Sequence, residues 1–172
     1  MTFDCFALLM TESSYIQRIR ALCNLAEPDL DGALALAKEA TAACPRSAHL
    51  HCVLGDLLQL AGDDSDALED SLASYTRALE VDPEFSDAFS SIGYFHDVVM
   101  GDLAAAESAF RAALRAGPHE EAIVGLARVL TQLGHPRHEV AALLDSAIDP
   151  MSARVNQIRA EINDGEWDPF RG

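Results

Sequence analysis

Four prolines, Pro45, Pro83, Pro118 and Pro150, stand 38, 35 and 32 residues apart. That spacing constrains the chain more than any other feature. A recurrence near 35 residues marks a repeat architecture, in which each unit buries its apolar face against the next. Pro28, Pro136 and Pro169 fall outside the series. The segments that end on the spaced prolines can be laid over one another. Ser71-Leu-Ala-Ser-Tyr75-Thr-Arg-Ala78-Leu-Glu-Val-Asp-Pro83 matches Ala106-Glu-Ser-Ala-Phe110-Arg-Ala-Ala113-Leu-Arg-Ala-Gly-Pro118 slot for slot. An earlier copy carries Ala33, Ala37, Ala40 and Pro45, and a later, shorter one carries Val140, Leu144, Ala147 and Pro150. Small or apolar residues recur at i, i+4 and i+7, one face of a helix. The proline stops each helix, because it has no N–H to continue the ladder.

A second helical pattern precedes each of these. His51-x-x-Leu54-Gly55-x-x-Leu58 and Phe89-x-x-Ile92-Gly93-x-x-His96 share one spacing, and the breakers Gly62 and Gly101 follow them. Ile123-x-x-Leu126-Ala127-x-x-Leu130 before Gly134 is a third copy, and Ile16-x-x-Ile19-x-x-x-Cys23 a weaker first one. The small central residue lets a neighbouring helix approach closely.

These paired patterns resemble the tetratricopeptide repeat family, whose helix–turn–helix unit has about 34 residues. The family pattern W-x-x-L-G-x-x-Y…A-x-x-x-F…A…P is met well at 46–83 and 84–118, partly at 119–150 and loosely at 12–45. No repeat has the tryptophan, and His51 and His96 occupy two of the large slots. The resemblance implies an all-α, right-handed α-solenoid of about four helix pairs over 12–150. An N-terminal arm, 1–11, precedes it, and a capping helix and tail, 151–172, follow. Met151, Val155, Ile158 and Ile162 form the apolar stripe of that last helix, which covers the open end of the array. Trp167, the one tryptophan, reads as a plug folded back on the final helices.

Charge narrows the range of partners. The chain has 12 Lys+Arg against 28 Asp+Glu, a formal net charge of -16, distributed as -10 over residues 1–86 and -6 over 87–172. Nucleic-acid binding needs a basic surface that displaces counterions, and docking on anionic lipid needs the same sign. Neither is expected here. Cys5, Cys23, Cys44 and Cys52 contain no C-x-x-C, so they read as reduced thiols rather than a disulfide scaffold or zinc ribbon. The first ten residues lack the basic start of a signal peptide, and no run is long enough to span a membrane. The expected location is cytoplasmic. Residues 1–9 read as a loose arm or as the product of an early start codon.

Nothing in the sequence pairs residues for catalysis. P-loop, G-x-G-x-x-G, G-x-S-x-G and H-E-x-x-H are all absent. His49 and His51 point to different faces of a helix, and His135 and His138 sit in a turn, so neither pair makes a metal site. The acid-rich stretch from Asp63 to Asp70 lacks EF-hand spacing and reads as a solvated turn at a helix start. We therefore expect no enzyme, cofactor or metal.

In the family, the first helix of each repeat lines a concave face that holds a peptide. Carried onto this chain, the facing slots are His49, Cys52, Asp56 and Gln59, then Asp87, Ser90, Tyr94 and Asp97. Glu121, Val124, Arg128 and Thr131 form the third set. The family's carboxylate clamp uses Lys, Arg and Asn there. The first two sets instead carry three acids and no Lys or Arg, which suits a partner offering Lys or Arg to the carboxylates and to Tyr94. The expected function is a non-catalytic protein-binding scaffold or adaptor. Two alternatives remain: a dedicated chaperone or neutralising partner of one secreted effector or toxin, and a structural module that self-associates through its convex face or through Phe3, Phe6, Leu8 and Leu9. Homo-oligomerisation stays open on this reading.

Overall fold

A computed structural model describes residues 11–61, 65–167 and 169. The arm with Phe3, Cys5, Phe6, Leu8 and Leu9, the breaker Gly62, and the turn acids Asp63 and Asp64 lie outside those residues. Among the described residues every regular element is helical, as the paired patterns predict. The chain forms two compact units, residues 1–81 and 82–172.

The first unit holds α1 (Glu12–Cys23), α2 (Leu30–Ala43), α3 (Ala48–Ala61) and α4 (Ser65–Val81). Thr11 and Asp29 cap α1 and α2, their side-chain oxygens accepting from the Ser14 and Gly32 N–H groups at 3.3 and 2.9 Å. Such caps satisfy donors that the first helical turn leaves unpaired. Ala33, Ala37 and Ala40, the expected stripe of α2, are fully buried against Tyr15, Ile16 and Ile19 of α1 and Leu50 and Leu57 of α3. The α3–α4 hairpin closes on Gly55. A Cβ there would lie under 3.0 Å from the Tyr75 ring, so the ring can enter only because the side chain is absent. Ser71 Oγ donates to the Gly55 carbonyl at 2.9 Å in the same buried contact.

The second unit begins with α5 (Ser86–Tyr94), which runs into a π-helical turn, Phe95–Met100, and then α6 (Leu103–Ala116). Next come α7 (Glu120–Gln132), α8 (Arg137–Asp145) and α9 (Ala153–Asn163). Asp102, His119 and Ser152 cap α6, α7 and α9. The core centres on Phe110, fully buried between Gly93 of α5 and Gly125 of α7; a Cβ on either glycine would strike its ring. Val140, Leu144 and Ala147 bury the inner side of α8 and the turn after it. Val155, Ile158 and Ile162 bury that of α9. Met151, read as the first member of the last stripe, precedes α9 and is 75% exposed. Helices α2, α4 and α6 each end two residues before Pro45, Pro83 and Pro118, where the missing N–H would break the ladder.

Candidate functional site

In the second unit, α5, α7 and α9 contribute to one cleft of about 220 Å³, lined by Tyr94, Val124, Arg128, Arg154, Gln157, Ile158, Glu161 and Trp167. Its centre is Arg128. The guanidinium lies over two aromatic rings, 5.4 Å from the Tyr94 centroid and 5.2 Å from that of Trp167. Beneath it, Nε and Nη2 both donate to Asp97 Oδ2, the former at 2.8 Å. Gln132 Nε2 reaches the other carboxylate oxygen at 3.4 Å. The Asp97 side chain is only 5% exposed. Its charge is tolerable there because Arg128 is placed on it; unpaired, it would cost several kcal/mol.

This placement changes the role read for Asp97. It is held in the floor by Arg128 and does not meet a ligand as a surface acid. The π-helical turn that carries it ends at Gly101, and Asp102 N–H closes back on the His96 carbonyl at 2.8 Å.

A second ion pair spans α7 and α9: Arg154 Nη2 meets Glu121 Oε2 at 2.5 Å, both side chains about half exposed. The Tyr94 hydroxyl donates to the Glu121 backbone oxygen at 3.0 Å, while its ring meets Phe110 edge-on at 5.0 Å. Burial raises the Tyr94 phenol above its ordinary range, and the hydrogen bond and charge of Arg154 oppose that shift. Glu161 accepts from Gln157 Nε2 at 2.9 Å and from Trp167 Nε1 at 3.2 Å. Both donors are neutral, so the Glu161 charge has no cation among these bonds.

The other slots are dispersed. Asp87 accepts from His119 Nε2 at 2.8 Å, and His119 Nδ1 accepts from the Ala122 N–H, which fixes the neutral tautomer that caps α7. Ser90 is buried, and its Oγ has no hydrogen-bond partner among the described residues. Thr131 Oγ1 donates to the Ala127 carbonyl of its own helix at 2.8 Å. In the first unit, Asp56 Oδ1 accepts from the Tyr75 hydroxyl at 2.8 Å. There Cys52 is buried, and His49 and Gln59 are half-buried. The structure thus brings Tyr94, Asp97 and Arg128 together within the second unit, while the α3 slots belong to the first.

Sequence reading missed Arg154, Gln157 and Glu161. The signal was present: shifting the Glu121, Val124, Arg128 slots by 33 residues lands on them, so α9 repeats the first-helix register. Reading α9 only as a solvating cap hid that. Trp167, expected as a plug, does pack on the core of the second unit. Among the described residues no three His, Cys, Asp or Glu side chains gather as a metal site. Among the described residues no helix is long and apolar enough to cross a membrane.

No family model matches the sequence, and no curated protein matches it. Solved structures do. A thermophilic TPR protein of Thermus thermophilus is 19% identical, with a TM-score of 0.66 over 90% of this chain and 91% of that one. Two MamA structures follow at 15% and 16% identity, with TM-scores of 0.59 and 0.56. They cover 90% and 95% of this chain, and 76% and 99% of theirs. The fold is that of the tetratricopeptide repeat proteins.

Proposed function

We propose that the protein is a non-catalytic scaffold that holds a segment of another protein against the first helices of its repeats, with the α5–α7–α9 cleft as the principal seat. The observation that carries this reading is that three successive first helices direct aromatic, apolar and charged side chains into one open cleft. Such a mixture fixes a segment by shape while charge sets its identity.

The charge within the cleft favours a basic segment. Arg128 is cancelled by Asp97 and Arg154 by Glu121, which leaves Glu161, among the described residues that line the cleft, as the carboxylate with no ion pair. Asp87, its side chain 54% exposed, adds a second carboxylate on α5. A Lys or Arg of the partner would form charge-assisted bonds with these oxygens. The chain's net charge of -16 would raise the association rate.

The test is calorimetric titration with a lysine-rich peptide and a glutamate-rich counterpart. The lysine peptide should bind, weaken steeply with added salt, and lose about tenfold affinity in Glu161→Lys. Equal binding of the acidic peptide would remove the basic reading. Retention of a host partner by Glu161→Lys and Asp87→Lys alike would move the seat elsewhere.

A further inference from the structure

Trp167 is turned back onto the helix it follows. The chain leaves α9 through Gly165, whose φ of 75° favours glycine. Gly165 N–H donates to the Ile162 carbonyl at 3.1 Å and Glu166 N–H to that of Glu161 at 3.0 Å. These are the paired bonds of a Schellman-type helix end. The return lays the indole on Arg128 and points its N–H at Glu161.

Close-packed core side chains leave little room around them. Trp167 has open space at two places: it lines the cleft of about 220 Å³ with Tyr94 and Arg128, and another of about 370 Å³ with Leu103, Gln132 and Pro169. The half-buried ring is thus a partition shared by two clefts. Its seat does not depend on it. Asp97 and Tyr94 hold the Arg128 guanidinium, and Gln157 holds the Glu161 carboxylate, without help from the indole.

We infer that Trp167 is an internal stand-in, occupying a seat that receives an aromatic residue of the bound segment, tryptophan first. This rests on the scaffold reading above and names the residue class the cleft selects. A flat ring meets the guanidinium face by cation–π attraction, and an indole N–H meets the Glu161 oxygen. A leucine offers neither interaction. The two clefts would take the residues before and after the ring.

Trp167 is the chain's only tryptophan, so 5-fluorotryptophan labelling of the full chain gives one fluorine resonance to follow. The probes are capped Lys-Trp-Lys and Lys-Leu-Lys peptides and N-acetyl-tryptophanamide. Lys-Trp-Lys should move the resonance saturably to its solvent-exposed position, with about tenfold preference over Lys-Leu-Lys. Trp167→Ala should bind Lys-Trp-Lys more tightly than the unmutated chain, because the competing ring is gone. Glu161→Ala should narrow the preference for Trp over Leu.

A resonance that no probe moves, together with no gain of affinity in Trp167→Ala, overturns the proposal. Equal binding of both tripeptides also overturns it while leaving the basic scaffold reading intact. N-acetyl-tryptophanamide displacing the ring as well as Lys-Trp-Lys would support the seat and remove the basic reading instead.

Discussion

The two units solve the same packing problem with different aromatic residues. In the first, Tyr75 enters the space left by one glycine, Gly55, and its hydroxyl reaches out to Asp56 at 2.8 Å. In the second, Phe110 fills the space left by two glycines, Gly93 and Gly125, and has no polar end to place. Charge shows a parallel contrast. Divided at the unit boundary, residues 1–81 have 13 acids against 5 bases and residues 82–172 have 15 against 7, so each half carries -8. The -10 and -6 on either side of residue 86 differ only because Asp82 and Glu84 precede that position. What differs is the use of carboxylates. In the second unit arginines bind them across helices, at Asp97–Arg128, Glu121–Arg154 and Asp145–Arg159. In the first, the Tyr15 and Tyr75 hydroxyls reach Glu39 and Asp56 across helices at 3.0 and 2.8 Å. The corresponding contact in the second, from Tyr94 to Glu121 Oε2, is longer at 3.4 Å and shares that oxygen with Arg154.

The largest effect that would break this contrast is at Phe110. Phe110→Ala empties a ring-sized volume walled on two sides by Gly93 and Gly125, which have no side chain to fill it. The loss should reach the upper part of the range of about 3–5 kcal/mol for such truncations. Denaturant unfolding followed by Trp167 fluorescence reports on the unit that holds Phe110, since the tryptophan lies there. A loss below about 1 kcal/mol would mean the seat collapses readily, against the glycine argument.

Next is Arg128→Met, which strands the buried Asp97 carboxylate and should cost about 3 kcal/mol. The double variant Arg128→Met with Asp97→Leu should recover most of that loss, because an apolar pair avoids the desolvation that the ion pair has to offset. Failure of the double variant to recover would assign the loss to Arg128 packing on Tyr94 and Trp167 instead of to the charge.

Much of this was legible in the sequence because it depends on local periodicity. The proline spacing, the Ala33–Ala37–Ala40 stripe and the Gly55 and Gly93 slots each follow from helix geometry within a few residues. Pairings across helices were not. Asp97 and Arg128 lie 31 residues apart, and a carboxylate in a first-helix slot looks identical in sequence whether it meets solvent or a guanidinium. The π-helical turn at Phe95–Met100 has no strong residue signature either, since its wider bonds differ from α-helical ones by only one residue in register. Glu161 was hidden for a third reason. Among the described residues the last of the spaced prolines is Pro150, so the repeat period seemed to stop there while the first-helix slots continued into α9.

The smaller effects test the tyrosine side of the comparison. Burial, followed by the Asp56 charge, pushes the Tyr75 phenol far above its ordinary value near 10. A raised folded-state value stabilises the fold fully below the unfolded-state pKa. Above about pH 10 the unfolded chain releases the proton and the folded chain keeps it, so stability falls by at most about 1.4 kcal/mol per pH unit. Tyr75→Phe should lose about 1 kcal/mol at neutral pH, from the bond to Asp56, and should flatten that alkaline fall. Circular dichroism melts at neutral pH and above pH 10 measure both; an unchanged alkaline slope would show that Tyr75 ionises in place. Smallest of all is the exposed pair Arg77–Glu80 on the same helix, 2.5 Å apart with both side chains more than half exposed. Arg77→Ala should change stability by only about 0.3 kcal/mol, because water and salt screen an i,i+3 pair at the surface. If it cost as much as Tyr75→Phe, α4 would depend on its surface charge as strongly as on the buried phenol, and the division between hydroxyl and arginine contacts in the two units would no longer hold.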